Sequence, residues 1–439
     1  MLRGRGISPT ARTRIVATLG PASSSEDGIR ALVEAGVDVF RVNFSHGTHA
    51  EHAARIAAVR GVAGARPIAI LQDLAGPKLR LAHAVRARAG DVITLALPAT
   101  VRPGDPVLLA DGVMQLEVLE DGRCRVIVGG DIPAGKGINL PSSRIDLPSV
   151  TAKDQDDLRA GLAMGVDFVG VSFVRRAVDL AAARASGLPV IAKIETAAAT
   201  EHLEEIVDAA DGIMVARGDL GVEIPIERVP MLQKRLIALA NRAAKPVITA
   251  TQMLRSMVES LVPTRAEATD VANAVLDGTD AVMLSEETAV GQHPVAAVAM
   301  MRRILCAAEP SLVERPPGAE RDPAAVIAEA ACDLARRVAA AAIVVPTQTG
   351  ATARRIAARR PRMPIVALTP DDAVRRRLSL VWGVTALTAP WPGHDIETLL
   401  GHFRGPLHAT GLVATGAPVV LTAGWPLAGT TNLVHVTTL

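Results

Sequence analysis

The sequence predicts an α/β protein: a (β/α)8 TIM barrel with an inserted small β-barrel lid domain and a C-terminal α/β domain. Three features of the 439 residues carry that prediction. A β-branched run ending in polar residues, followed by an Ala-rich stretch of helical length, recurs eight times. Between the third and fourth repeats the composition changes to short runs broken by Gly, Pro and Asp. Beyond a charged, Pro-rich link the alternation resumes on a smaller scale. A chain of this length exceeds what one hydrophobic core serves, so three domains are expected.

The predicted barrel strands are Ile15–Leu19, Val39–Phe44, Ile68–Leu74, Phe168–Phe173, Val190–Glu195, Ile213–Asp219, Val247–Gln252 and Ala281–Glu287. Helical patterns such as Glu26–Ala35, Ala50–Arg60, Asp154–Ala163 and Met231–Ala243 separate them. Strands alternating with helices pair in parallel, because each return must cross the sheet. Eight such units fill the roughly 250 residues of a closed barrel once the insertion is removed. The insertion, residues 79–147, contains PGDPVLLADG, LEDGRCRVIVGG and PAGKGINLP, an all-β pattern. Entered and left through two segments, it is expected to work as a hinged lid. After the link Glu314–Pro323, the runs AAIVVPT, PIVALTP and PVVLTAGW alternate with helical patterns. That stretch is too short for a second barrel and suits a three-layer domain. The expected division is therefore 1–78 with 148–314 for the barrel, 79–147 for the lid and 323–439 for the C-terminal domain.

Composition excludes several classes. Lys and Arg number 47 against 45 Asp and Glu, so the chain lacks the basic field of a nucleic-acid or membrane-surface binder. Aromatics are 2% with no Tyr, which leaves no platform for base stacking. Cys124, Cys306 and Cys332 lie far apart with no CxxC pair, against a disulfide framework or thiolate zinc site. The longest apolar stretch, near Val338–Val345, falls well short of the ~20 residues that span a bilayer. Met1–Arg14 carries four Arg and no acid but no apolar segment, and reads as a short exposed basic arm. A cytoplasmic protein is expected.

Chemistry in such a barrel collects at the carboxyl ends of the strands. Those ends hold Arg41, Asn43 and Ser45, co-facial by the period of two, then Asp73, Lys193 with Glu195, Arg217-Gly218-Asp219, Thr249 with Thr251, and Ser285 with Glu287. Charge inside parallel strands is costly unless paired or bound to an ion. A structural ion-pair network explains any one of these residues; six strand ends of eight point to a site. Arg41 and Lys193 beside Asp73, Glu195 and Asp219 suit an anionic ligand held with a divalent metal. Carboxylates without His or Cys favour Mg²⁺ or Mn²⁺ over zinc. Two other patterns are decoys. Gly130–Lys136 fits the start of a phosphate-binding P-loop, but Gly137 stands where the Ser or Thr belongs and no helix pattern follows. His46, His49 and His52 are spaced by three, which on a helix sweeps around the axis instead of sharing a face. Only His46 belongs near a site.

Taken together, the motifs resemble those of the pyruvate kinase family over nearly the whole chain. The matching stretches are Ala17–Ser23, Arg41–Gly47, Gly76–Arg80, Gly137–Pro141, Lys193–Glu195, Gly212–Gly221, Ala250–Leu254, Pro263–Ala268 and Gly278–Ser285. MVARGDLG followed by ATQML at this distance is the most specific of them. The resemblance implies Mg²⁺-dependent phosphoryl transfer from phosphoenolpyruvate to ADP, giving ATP and pyruvate, in a homotetramer. It implies that Glu195 and Asp219 hold the metal and that Lys193 stabilises the transferring phosphoryl group. Arg41 would clamp the phosphate, while Gly218, Asp219 and Thr251 would hold the substrate carboxylate. Asn43, His46, Arg80 and Lys136 would meet the nucleotide. Protonation of the enolate would run through Thr251 and a water network with Ser285.

Departures from the family pattern carry their own expectations. Many members bind K⁺ through the equivalents of Asn43, Ser45, Asp73 and Leu74, with Thr at the Leu74 position and Glu at the Lys78 position. Lys78 is expected to supply that charge itself, making activity independent of K⁺. The lid is short for the family, its Asp-Asp-Gly is reduced to Ala110-Asp111-Gly112, and Glu286 replaces a Gly. Thr347, Thr349, Gly350 and Thr352 lie between a strand and a helix where the family binds sugar-phosphate effectors; an ordinary helix-capping turn is the alternative. Arg354, Arg355, Arg359, Arg360 and Arg362 would support the anion or form a solvated face. Two other readings compete: a barrel lyase acting on phosphoenolpyruvate or a 2-oxo acid, and an inactive relative that senses a metabolite.

Overall fold

The computed structural model describes residues 11–98, 101–110, 112–141, 147–315, 322–391, 396–424 and 429–439. The basic arm before Ala11, Asp111 of the shortened lid motif, residues 316–321 of the interdomain link and Trp425 lie outside the described residues.

Eight strands, Arg14–Thr18, Val39–Asn43, Ala69–Asp73, Phe168–Val171, Val190–Ile194, Gly212–Ala216, Val247–Ala250 and Ala281–Leu284, close into one barrel with every pair parallel. The predicted runs extend one to three residues past several strand ends. Three of these extensions matter. Arg217–Glu223 is helical, Thr251 and Gln252 turn at φ +68° and +55°, and Glu286–Ala289 forms a helical turn. The site residues there sit on turns above the sheet, not in it.

The intervening helices start where the sequence supplies side-chain caps. Ser25 accepts from Gly28 N ahead of Glu26–Ala35, and reciprocal boxes Thr48/Glu51 and Thr151/Asp154 open His49–Ala63 and Ala152–Met164. Gly36 and Gly165, both left-handed, end the first and third of these. One apolar core fills the space between strands and helices, and a second fills the barrel interior.

The lid consists of a six-stranded sheet and a two-stranded sheet, antiparallel throughout, around a core of Leu109, Met114, Leu116, Cys124, Val126 and neighbours. Its entry strand Leu79–Arg80 pairs with its exit strand Gly137–Asn139, so both arms of the hinge lie side by side. Gly130–Ile132 and Gly137–Asn139 are strands of this domain, and no helix follows the P-loop decoy. The C-terminal domain is a five-stranded sheet with apolar cores on both faces, four strands parallel and the last, Thr431–Thr438, antiparallel. Among the described residues no helix is long and apolar enough to cross a membrane.

The C-terminal domain closes the floor of the barrel. Leu380 joins the core inside the barrel. Arg360, fully buried, lies 3.2 Å from Asp280 and donates to Asn241 Oδ1 and the Gly278 carbonyl. Trp382 covers its guanidinium at 5.1 Å. Asp280 also accepts from Val247 N and Trp382 N. Removing one member of a buried pair strands the other charge, at a cost on the order of 3–5 kcal/mol. Arg360→Leu is therefore expected to lower the urea midpoint of the barrel and C-terminal domain together; an unchanged midpoint would show that the floor contact contributes nothing.

Candidate active site

At the mouth of the barrel the second, third and fifth strands bring four charges into one buried cluster. Asp73 has one carboxylate oxygen 2.6 Å from Arg41 Nε and the other 3.3 Å from Lys193 Nζ. Lys193 Nζ is also 3.2 Å from Glu195 Oε2 and donates to Ser172 Oγ at 2.6 Å. Ser172 Oγ donates in turn to the Leu74 carbonyl, which fixes its orientation. Arg41 is steadied by Thr18 Oγ1 at 3.2 Å. Glu195 Oε1 accepts from Phe173 N at 2.7 Å.

The electrostatics follow from burial and sign. Burial alone would raise the Asp73 carboxyl, but Lys193 and Arg41 together hold it below the ordinary value. Burial works against the Lys193 ammonium, yet Asp73 and Glu195 keep its pKa above the usual range. Glu195 is different: burial pushes it up to about 7, with Lys193 opposing and the Asp219 charge adding to the rise. Its Oε2 and Asp73 Oδ1 are buried and make no hydrogen bond in the structure. Both oxygens lie within ion-pair distance of Lys193 Nζ, at 3.2 and 3.3 Å, and the Asp219 charge acts on Glu195 from nearby, so an all-oxygen carboxylate pair is on offer. Glu195 and Asp219 thus fit a hard divalent ion. No group of three or more His, Cys, Asp and Glu converges among the described residues, so the remaining coordination positions would belong to water or substrate oxygens.

Asp219 sits on the helix Arg217–Glu223, whose second residue, Gly218, donates its amide to Thr251 Oγ1 at 2.7 Å. The same hydroxyl donates to the Ala250 carbonyl at 2.6 Å. The amide expected to hold a substrate carboxylate is therefore engaged by the threonine expected to hold it too. Thr251 pays for this position in backbone strain: positive φ at a β-branched residue costs on the order of 1–3 kcal/mol.

Lys78 departs from its expected place. Its Nζ lies 3.0 Å from Asp219 Oδ1 instead of entering the pocket of Asn43, Ser45, Asp73 and Leu74. Asp73 is flanked by Arg41 and Lys193, and Lys78, one residue before the strand Leu79–Arg80, reaches the helix that follows the sixth strand. Asn43 Oδ1 accepts from Ser45 N, tightening the loop that leads to His46. His46 is held below its ordinary pKa first by burial and then by Arg80, Arg41 and Lys78, so these three cations lie in the region of a histidine kept neutral. Arg80 donates to the Gly135 carbonyl across the hinge from Lys136, whose own carbonyl accepts from Leu81 N. A cleft of about 680 Å³ opens beside the hinge, lined by Lys78, Asn139, Phe173, Thr196 and Glu223; Asn43, His46, Arg80 and Lys136 do not line it.

Several supporting residues escaped the sequence reading. Asp154, fully buried, accepts from Ala75 N and Gly76 N and so fixes the loop that leads to Lys78. One turn later Asp157 anchors Lys153, which donates to the Phe44 carbonyl, and lies 2.7 Å from His49 Nε2. His52 is buried and stacks on Phe44 at 4.0 Å, so neither helical histidine faces the charge cluster. Glu287, which the sequence did mark at the eighth strand end, accepts from Leu254 N and Ser285 N, joining the loops above the seventh and eighth strands. Across the same gap Glu286, in place of a Gly, pairs with Arg255. The capping box of the third helix was the one local signal that marked Asp154.

In the C-terminal domain Gly350, at φ +78°, caps the helix Ala351–Ala358. Thr347 Oγ1 accepts from Gly350 N, Thr349 Oγ1 from Ala351 N, and Thr352 bonds Thr431. Arg354 stays at the turn and donates to the Thr349 carbonyl at 3.1 Å, but Arg355 pairs with Asp322, Arg359 with Glu329, and Arg360 is the floor plug. The capping-turn alternative accounts for all of these bonds.

The fold and the site define an enzyme-like architecture: a closed parallel barrel whose mouth pairs a buried lysine with carboxylates, with an antiparallel domain inserted after the third strand. Comparison with known proteins makes it specific. The family model for the pyruvate kinase barrel domain matches residues 10–97 and 91–298, and that for the pyruvate kinase alpha/beta domain matches 325–437. The chain belongs to the pyruvate kinase family and is an enzyme of the phosphotransferase class. It is 44% identical to the pyruvate kinase of Agrobacterium vitis, covering 97% of this chain and 96% of that one. To pyruvate kinase 2 of Synechocystis sp. it is 44% identical over 97% of this chain and 79% of the relative. Identity to the Corynebacterium glutamicum pyruvate kinase is 43%, with 97% of each chain covered.

Because Asp154 satisfies two loop amides in addition to its helix cap, Asp154→Asn is expected to destabilise the fold by about 2–3 kcal/mol. Hydrogen exchange at Ala75 and Gly76 should accelerate selectively; unchanged protection there would remove Asp154 from the support of Lys78.

Proposed function

We propose that this chain catalyses phosphoryl transfer from phosphoenolpyruvate to ADP, yielding pyruvate and ATP. The observation that carries this reading is Lys193 held between Asp73 and Glu195 at the barrel mouth, where Glu195 Oε2 makes an ion pair but no hydrogen bond. Family membership at 44% identity supports the same reaction. Mg²⁺ or Mn²⁺ at Glu195 and Asp219 would neutralise charge on the substrate oxygens. Lys193 would face the phosphoryl group as its bond to the enol oxygen breaks and a bond to the ADP β-phosphate oxygen forms. Arg41, already fixed by Asp73 and Thr18, would clamp the phosphate without further ordering. Thr251 Oγ1 would exchange its bond to the Ala250 carbonyl for one to water or substrate before a proton passes to the enolate carbon. Arg80 and Lys136 would supply positive charge for the nucleotide phosphates, and Asn43 and the neutral His46 would offer hydrogen bonds.

Activity independent of K⁺ belongs to the same proposal. A tethered ammonium at Asp219 places a monovalent positive charge beside the metal site, although not in the pocket of Asn43, Ser45, Asp73 and Leu74. A sugar-phosphate or nucleotide effector would meet Thr347, Thr349, Gly350 and Thr352 at the N-terminus of Ala351–Ala358, in a cytoplasmic homotetramer. Binding there would have to break the turn's internal hydroxyl bonds.

Steady-state assays test the reaction. Pyruvate release should require phosphoenolpyruvate, ADP and Mg²⁺ together, and Lys193→Ala should abolish it; ADP-independent pyruvate release would favour a lyase instead. Replacing K⁺ by tetramethylammonium should leave initial rates nearly unchanged, whereas a large drop would sink the role given to Lys78.

A further inference from the structure

The strained turn at Thr251 is held by a group to which neither the family motifs nor the proposed chemistry gives a role. Arg217 is the first residue of the helix that carries Gly218 and Asp219, and its side chain reaches across to the seventh strand. Its Nε donates to the Ala250 carbonyl at 3.0 Å, and one terminal nitrogen donates to the Thr251 carbonyl at 2.7 Å. That same nitrogen lies 2.8 Å from Met253 Sδ. The other terminal nitrogen donates to Asp270 Oδ1 at 2.7 Å and Gln233 Oε1 at 3.3 Å.

Ala250 and Thr251 carbonyls belong to the two peptide groups that flank the Thr251 Cα. A planar guanidinium bonded to both fixes the orientation of both planes, and hence φ and ψ of Thr251. Positive φ at Thr251 and at Gln252 is the conformation so fixed. A strained threonine persists only where its surroundings over-determine it. Here the backbone of Arg217 leads into the Gly218 amide and its side chain holds the residue that accepts from that amide. Asp270, on the helix Arg265–Asp277, keeps the guanidinium paired and aimed.

We infer that Arg217 is a positioning residue for the substrate-carboxylate and proton-transfer half of the site, acting by clamping the Ala250–Thr251 turn, with Asp270 as its anchor. This rests on the proposed reaction, and it assigns the clamp to phosphoenolpyruvate alone. The nucleotide side, at Asn43, His46, Arg80 and Lys136, does not depend on it. Lysine in place of Arg217 offers a single point charge that cannot hold both carbonyls in one plane.

Two variants test the clamp in the full-length protein with phosphoenolpyruvate, ADP and Mg²⁺. Arg217→Lys should lower kcat/KM for phosphoenolpyruvate by about 100-fold, the scale of an ångström-level misplacement of a reacting group, with KM for ADP unchanged. Asp270→Asn should shift the same constant in the same direction by a smaller factor. The double variant should be no worse than Arg217→Lys alone, because both act through one contact. Equal losses toward both substrates, or a double variant whose losses multiply, would overturn the clamp. If Arg217→Lys does not fold, Asp270→Asn decides: a phosphoenolpyruvate-selective loss supports the inference and unchanged kinetics overturn it. A wild-type protein with no turnover would overturn the proposed reaction as well, whereas an active wild type with indifferent variants overturns only the clamp.

Discussion

One buried contact organises the molecule: Lys193 between Asp73 and Glu195, with Arg41 completing the row on Asp73. Burying these groups singly would be prohibitive, so each depends on its neighbours being placed by a different strand. A closed barrel supplies that placement. Parallel register brings Asn43 level with Asp73 and Lys193 level with Met214, so side chains distant in sequence meet at one height. Three carboxylates, Asp73, Glu195 and Asp219, then face three cations, Arg41, Lys78 and Lys193. Such a balanced set can accept a divalent ion and a polyanionic substrate together more readily than either alone, because each offsets the charge the other brings.

Rigidity is supplied from both ends of the barrel. Below, the C-terminal domain inserts Leu380 into the barrel core and Arg360 against Asp280, so the two domains share a buried boundary. Above, the first turns of Ala152–Met164 anchor two loops at once through Asp154 and Asp157. The lid is attached by a single antiparallel pair next to Lys78. The residue just before that pair, Lys78, is the one that reaches Asp219.

Most of the fold was legible because its signals are local. Period-two runs, helical spacing, capping boxes and turn glycines each operate within a few residues, and all eight barrel strands and the antiparallel insertion appear where those signals lie. Two C-terminal strands, Val384–Thr388 and Thr431–Thr438, were missed: the first interrupts its apolar residues with two Thr, and the second carries Asn, His and three Thr. In the site, Arg41, Asp73, Lys193 and Glu195 could be read from strand ends and do converge. Lys78 could not be placed, since its reach to Asp219 depends on how the hinge crosses the mouth. Nor did sequence reveal that Arg360 is buried while Arg355 and Arg359 pair with nearby acids, because a run of arginines looks alike until a neighbouring domain covers part of it. The positive φ of Thr251 was likewise hidden, as it is imposed by tertiary bonds against the preference of the residue itself.

The most direct measurement of the central claim is a Mn²⁺ titration followed by electron paramagnetic resonance in the presence of phosphoenolpyruvate, comparing the wild-type protein with Glu195→Gln. If the Glu195 carboxylate is a metal ligand, the wild type should take up Mn²⁺ and the variant should leave it free in solution. Equal uptake by the two proteins would contradict the account.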